Sequence, residues 1–154
     1  ADNGRTTLHT LCDFGHIKAL RFVRSLLSEE EFLSHLFAPD VHNRCPMEYA
    51  TRSMAVLEYL FQIKAVKAKY AGNLDLQYGI IAYMFEWITS GEIIDYVLKQ
   101  LNITHKVHEI MKERYRQLDV TLFDLIVLKN TLQNFQKLAM LVGGEQTFRD
   151  EYLF

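Results

Sequence analysis

The sequence predicts an all-α chain in which helical hairpins follow one another in a row. Three observations lead there. The 154 residues hold only two Pro and seven Gly beside many Leu, Lys, Glu and Phe, a balance that favours helix over sheet. Apolar residues recur at helical spacing, as in Ile17, Leu20, Val23, Leu27 and again in Val56, Leu57, Leu60, Phe61. Third, the inter-helix turns expected at Gly15, Met54, Gly91 and Asn130 stand 39, 37 and 39 residues apart. A regular step is what stacked units require, because each hands its apolar face to the next. The chain is long enough to bury a core as one domain, and 49% hydrophobic residues with 23% charged ones argue against disorder.

The opening stretch carries the most information. Gly4 suits a tight turn with positive φ, and Thr6 is a natural helix N-cap. Leu8, Leu11 and Cys12 fall on one face of a short helix, which Gly15 ends in the left-handed conformation. Ile17 to Leu27 then form a second helix. The run Gly4, Thr6, Leu8, His9, Gly15, His16 resembles the signature of ankyrin repeats, with Thr7 in place of the usual Pro and Leu11 in place of a usual Ala. The resemblance implies a solenoid of about four ankyrin-like helical hairpins, over residues 1–39, 40–73, 74–117 and 118–154. It also implies that His9 braces the turn by bonding neighbouring backbone. The step exceeds the usual length of about 33 residues, so the units are lengthened.

The remaining elements follow in order. Ser28 with Glu31 three residues on reads as a capping box, starting a helix from Glu29 to Phe37 that Pro39 and Asp40 end. A second unit opens over 40–50, with Asn43 standing where Gly4 stood, Pro46 in the first helical turn and Ala50 at a packing position. Met54 takes the place of Gly15, and a helix through Val56 and Phe61 runs on to about Tyr70. Ala71–Gly72–Asn73 breaks the chain. From Asp75, the residues Leu76, Ile80, Met84, Phe85 and Ile88 share one face, and Gly91 stops that helix. Ile93, Ile94, Val97, Leu98 and Leu101 make the next. Asn102 to Thr104 is a hinge before a charged helix from about His105 to Gln117. A last pair runs from Asp119 to about Leu128 and from Leu132 to Val142, turning at Asn130 and stopping at Gly143–Gly144. The alternative is a single repeat pair capping a non-repetitive helical bundle.

Charge and motifs exclude several functions. A formal net charge of −2 gives no general pull towards nucleic acid or an anionic membrane, and the Lys64, Lys67, Lys69 cluster reads as a solvated helix face. The uncharged apolar stretch from Leu76 to Phe85 is too short to cross a bilayer. No signal peptide is visible, and a chain that begins at Ala1 is expected to be a piece of a larger protein. Cys12 and Cys45 lie in no CxxC or ligand pattern, which suggests a reducing, cytoplasmic setting. His105 and His108 share a helix face, but two ligands do not make a metal site. Cys12 between His9 and His16 is read as a packing residue rather than a nucleophile. The aromatics Tyr78, Tyr83, Phe85, Trp87 and Tyr96 read as core. No phosphate loop or catalytic motif occurs, so neither catalysis, cofactor nor metal is expected.

The remaining expectation is a surface for another protein. In ankyrin-repeat proteins, partners are held by the turn tips and the exposed side of the first helices. Those places correspond to Asp2, Asn3, Arg5, Asp13 and Phe14 in the first unit, and to Val41, His42, Arg44, Arg52 and Ser53 in the second. Phe14 and the arginines are the residue types that dominate binding energy. Lengthened ankyrin units are similar to those of effectors of intracellular bacteria and of viral host-range proteins, which extends the expected site of action to a host cytoplasm. A regulatory or substrate-recruiting domain of a larger enzyme is a second reading, and a helical hydrolase built on Cys12 or a histidine a third.

Overall fold

A computed structural model describes residues 3–87, 89–107, 109, 136 and 139–152. Among them all regular structure is helical and no strand occurs. The chain divides into two compact units, Ala1–Ile80 and Ile81–Phe154. Helices are numbered here along the described residues.

In the first unit, α1 (Thr7–Asp13) begins at the N-cap Thr6. It ends as the sequence predicts. Gly15 has φ +70°, His16 N–H donates to Leu11 C=O at 2.9 Å and Gly15 N–H to Cys12 C=O at 3.3 Å, the paired bonds of a Schellman cap. Helix α2 (Ile17–Ser25) follows, then α3 (Glu29–Leu36). The capping box of α3 is formed: Ser28 Oγ accepts from Glu31 N–H, and Glu31 Oε1 accepts from Ser28 N–H, both at 3.1 Å. These bonds also lower the pKa of the Glu31 carboxyl. The helix stops at Leu36, before Pro39 and Asp40.

The second step differs from expectation in two places. Helix α4 (Pro46–Tyr49) carries Pro46 in its first turn and passes into a 3₁₀ turn, Ala50–Arg52. Met54 is not a turn residue. It is the first residue of α5 (Met54–Phe61), and Ser53 is the N-cap, its Oγ accepting from Val56 N–H at 3.3 Å. The expected single helix to Tyr70 is also broken. Ile63 adopts an extended conformation (φ −80°, ψ 114°), and α6 (Lys64–Tyr70) starts after it. Ile63 itself is buried, so the break turns an apolar side chain inward. The extra length of both steps is therefore a third helix, α3 in the first and α6 in the second.

Helix α1 packs against α2, α3 and α4, and α2 packs against α5. Leu8, Cys12, Leu20, Phe32, Leu36, Met47, Leu57, Leu60 and Val66 form the core between them. Tyr70 closes it, its ring against Phe37 at 5.5 Å and Phe61 at 6.2 Å.

Helix α7 (Leu74–Glu86) starts at Asn73, whose Oδ1 accepts from Leu76 N–H at 3.2 Å. The sequence predicts one apolar face, but every residue from 79 to 85 is buried, so the helix is enclosed on all sides over that stretch. In the second unit, Gly91 does not stop a helix. It opens α8 (Gly91–Leu101), capped by Ser90, while α7 has already ended at Glu86. Ile94, Val97 and Leu98 are the buried face of α8. The expected hinge is real: Asn102 is left-handed (φ 55°) and closes α8, and a 3₁₀ turn, Thr104–Lys106, follows. Tyr83 and Phe85 are core, as read, but Trp87 is half exposed. After the turn at Gly143–Gly144, the tail forms α9 (Glu145–Tyr152), which the sequence did not suggest. The helices expected over 110–135, and the turn at Asn130, lie outside the described residues.

The recurring landmark is the N-cap of the second helix. His16, Ser53 and Ser90 hold that place, 37 and 37 residues apart.

Candidate binding surface

The tips before α1 and α4 lie side by side because two backbone groups demand partners. Val41 N–H donates to Asn3 C=O at 2.9 Å. Gly4 (φ +72°) lies beneath, and a Cβ there would stand 3.3 Å from Asp40 Cα and Val41 N. A side chain at position 4 would therefore be strained and would push the tips apart.

His9 ties the tips to the helix. Its Nδ1 accepts from Thr6 N–H at 3.0 Å and stands 2.9 Å from Thr6 Oγ1. With Nδ1 accepting, the ring proton is on Nε2, which donates to Arg44 C=O at 3.0 Å. The ring is fully buried beside Tyr49, edge to face at 5.9 Å. Burial holds the His9 pKa below its ordinary value, against the raising effect of the Arg44 carbonyl and Asp40, and keeps the ring neutral.

Asp40 builds the second tip. Its Oδ1 accepts from the N–H of His42 at 2.9 Å and of Arg44 at 3.0 Å, and its Oδ2 from Tyr49 Oη at 2.6 Å. Burial would raise the carboxyl pKa, but these donors outweigh it and the net shift is downward. Tyr49 is pushed up to about 12 by burial and by its bond to Asp40. Asn43, at φ 59°, completes the turn with its N–H on Asp40 C=O at 3.0 Å. Asp40 and Tyr49 are the organising residues that the sequence reading missed. An Asp two residues before a turn is a legible Asx signal; the Tyr49 bond, nine positions away, is not.

The residues expected to touch a partner fall into three groups. Asp13 bridges Arg5 (3.0 Å) and Arg52 (2.7 Å), and the Arg5 guanidinium lies over the Tyr49 ring at 4.7 Å from its centre. These three form one ion-pair network joining α1 to the end of the second first-helix. Asn3, Arg44 and Ser53 serve the backbone: Asn3 Oδ1 accepts from Arg5 N–H at 3.1 Å, Arg44 C=O receives His9, and Ser53 caps α5. Phe14, Val41 and His42 present their side chains to solvent, Phe14 at 69% and Val41 at 61% exposure. Phe14 stacks on His16 at 6.2 Å. Asp2 lies outside the described residues. Beside the tips, Asn3, Arg5, Thr6, Thr7, Thr10 and Leu11 line an open depression of about 490 Å³.

Other chemistry finds little support here. Cys12 and Cys45 are both free and buried, and burial pushes each thiol up to about 12, far from a reactive thiolate. Among the described residues no group of three or more His, Cys, Asp or Glu is gathered to hold a metal ion, and no helix is long and apolar enough to cross a membrane. His105 is exposed in its 3₁₀ turn, and His108 lies outside the described residues. In comparisons with known proteins, no family model, no curated protein and no solved structure matches this chain.

Proposed function

We propose that the chain is a non-enzymatic, ankyrin-like domain of the cytoplasm that binds another protein through its turn tips and the exposed side of its first helices. The observation that carries this reading is the pair of bonds fixing one tip beside the next: His9 Nε2 to Arg44 C=O, and Val41 N–H to Asn3 C=O. A row of tips held by buried backbone bonds is rigid before any partner arrives, and preorganisation lowers the ordering cost of association. The recurrence of second-helix N-caps at His16, Ser53 and Ser90 supports a solenoid of such units. Effectors that act inside a host cell are one setting for it.

The test uses Phe14 and Val41, since Arg5 and Arg52 also hold the fold. The purified chain serves as bait in quantitative affinity capture, beside a Phe14→Ala/Val41→Ala double variant and a Lys64→Ala control. The expected result is a partner retained by the control and depleted about tenfold or more by the double variant. Capture of every partner undiminished by the double change would refute the assigned face.

A further inference from the structure

Two large apolar side chains stand exposed one turn apart on α2, Phe22 at 64% and Leu26 at 67%. The inward side of this helix is already complete. Leu20 is fully buried, and Arg21 and Arg24 lay their guanidinium groups over the Tyr59 ring at 5.2 and 5.6 Å, with Arg24 Nη1 donating to Tyr59 Oη at 3.2 Å. What faces outward is the row Lys18, Phe22, Leu26, at the i, i+4, i+8 spacing that lines up along one helix face. Just beyond the row, α3 opens with Glu29 and Glu30, both exposed; the next residue, Glu31, is held in its capping box. Among the described residues, no hydrogen bond or ion pair engages Lys18, Glu29 or Glu30.

We propose that this face binds a second copy of the chain, α2 against α2 across a two-fold axis. The order of the row decides the occupant. Read forwards it is cation, aromatic, aliphatic, acid; read backwards it is acid, aliphatic, aromatic, cation. An axis passing between Phe22 and Leu26 sets each Phe22 on the Leu26 of the other copy. The same axis sets each Lys18 opposite the other copy's Glu29 and Glu30. Apolar and charged parts are thus self-complementary, as an isologous contact demands. An acidic partner or an anionic lipid surface would match Lys18 and be repelled at Glu29 and Glu30. A basic partner would meet the opposite conflict. The apolar patch is on the order of 300 Å² per copy, well below the roughly 800 Å² per partner of a stable complex. The pair is therefore a weak, concentration-dependent dimer.

Sedimentation velocity of the full chain over a wide concentration range, at low salt, reads this directly. The mass rises from monomer towards dimer as concentration rises, and added salt shifts the curve to higher concentration. Phe22→Asp weakens association about 30-fold or more, because it removes one anchor from each side. Lys18→Glu weakens it about fivefold, and Glu29→Lys/Glu30→Lys added to Lys18→Glu restores it. Helical circular dichroism is unchanged in each variant, since every altered side chain is exposed. A monomer mass at all concentrations overturns the proposal, as does wild-type dimerisation by Phe22→Asp. A charge swap that fails to restore association overturns the two-fold arrangement and gives the face to another occupant.

Discussion

The first and second steps of this chain answer the same local problem with different chemistry. At matched places, 39 residues apart, the first carries Thr6 and His9, and the second Cys45 and Glu48. His9 accepts from the N–H behind it and donates to the carbonyl ahead, because an imidazole presents one nitrogen of each kind on opposite edges. Glu48 accepts from Cys45 Sγ at 3.8 Å, and an ionised carboxylate has no proton to offer a carbonyl beyond. The chain that follows explains the contrast. A nine-residue connection, 37–45, separates α3 from α4 and contains a full tip, whereas only residues 71–73 separate α6 from α7. A histidine stands where there is a next tip to hold, and is replaced where the tip is gone.

The sharpest way to break this comparison is to remove the two residues in turn. His9→Ala strands the Thr6 N–H and the Arg44 carbonyl in a buried site, and is expected to cost about 2–4 kcal/mol in urea unfolding. Glu48→Gln keeps the shape and removes a buried charge, with a change below about 1 kcal/mol. Equal losses in the two variants would mean that both steps depend on the place alone and not on its chemistry.

A smaller contrast lies in the turns. Gly15→Ala forces a side chain into the left-handed region and is expected to cost about 1–2 kcal/mol. Ser53→Ala removes one cap, at about 1 kcal/mol. Thermal unfolding ranks them.

The pH dependence follows from the lowered His9 pKa. The unfolded chain takes up its proton as pH falls through the ordinary histidine range, near about 6.5, while the folded chain does not. The stabilisation is complete at neutral pH and is lost below that range, by at most about 1.4 kcal/mol per pH unit, until the folded ring also protonates. Urea midpoints at neutral and mildly acid pH should differ in the wild type and converge in His9→Ala. The mildest expectation is an inert pair of thiols. Cys12 and Cys45 should resist a thiol reagent in the native chain at neutral pH and react once it is unfolded. Rapid native labelling of Cys12 would contradict its burial.

What the sequence made legible was local backbone chemistry. Gly4, Thr6, Gly15, Ser28, Asn43 and Pro46 each act within a few residues of themselves, and each does what its type predicts. The helical class was readable for the same reason. The break at Ile63 was not, because the apolar period runs straight through it and only burial of that side chain turns the backbone. Met54 and Gly91 misled because one turn is shorter than its counterpart: Phe14, Gly15 and His16 separate α1 from α2, but Ser53 alone precedes α5. The surface was harder still. Arg5, Asp13 and Arg52 read as three exposed charges, and their ion pairing crosses 39 positions that periodicity cannot join.

The way Asp40 folds the second tip has a practical consequence. The loop's shape is written in main-chain N–H groups, one carboxylate and the hydroxyl of Tyr49, so Val41 and His42 contribute backbone to it and point their side chains away. Those two sites behave like the variable letters of a fixed phrase. A library randomised at 41 and 42, with Asp40, Asn43 and Tyr49 held constant, should keep its fold while its choice of target drifts. Selection could retune this surface without redesigning what carries it.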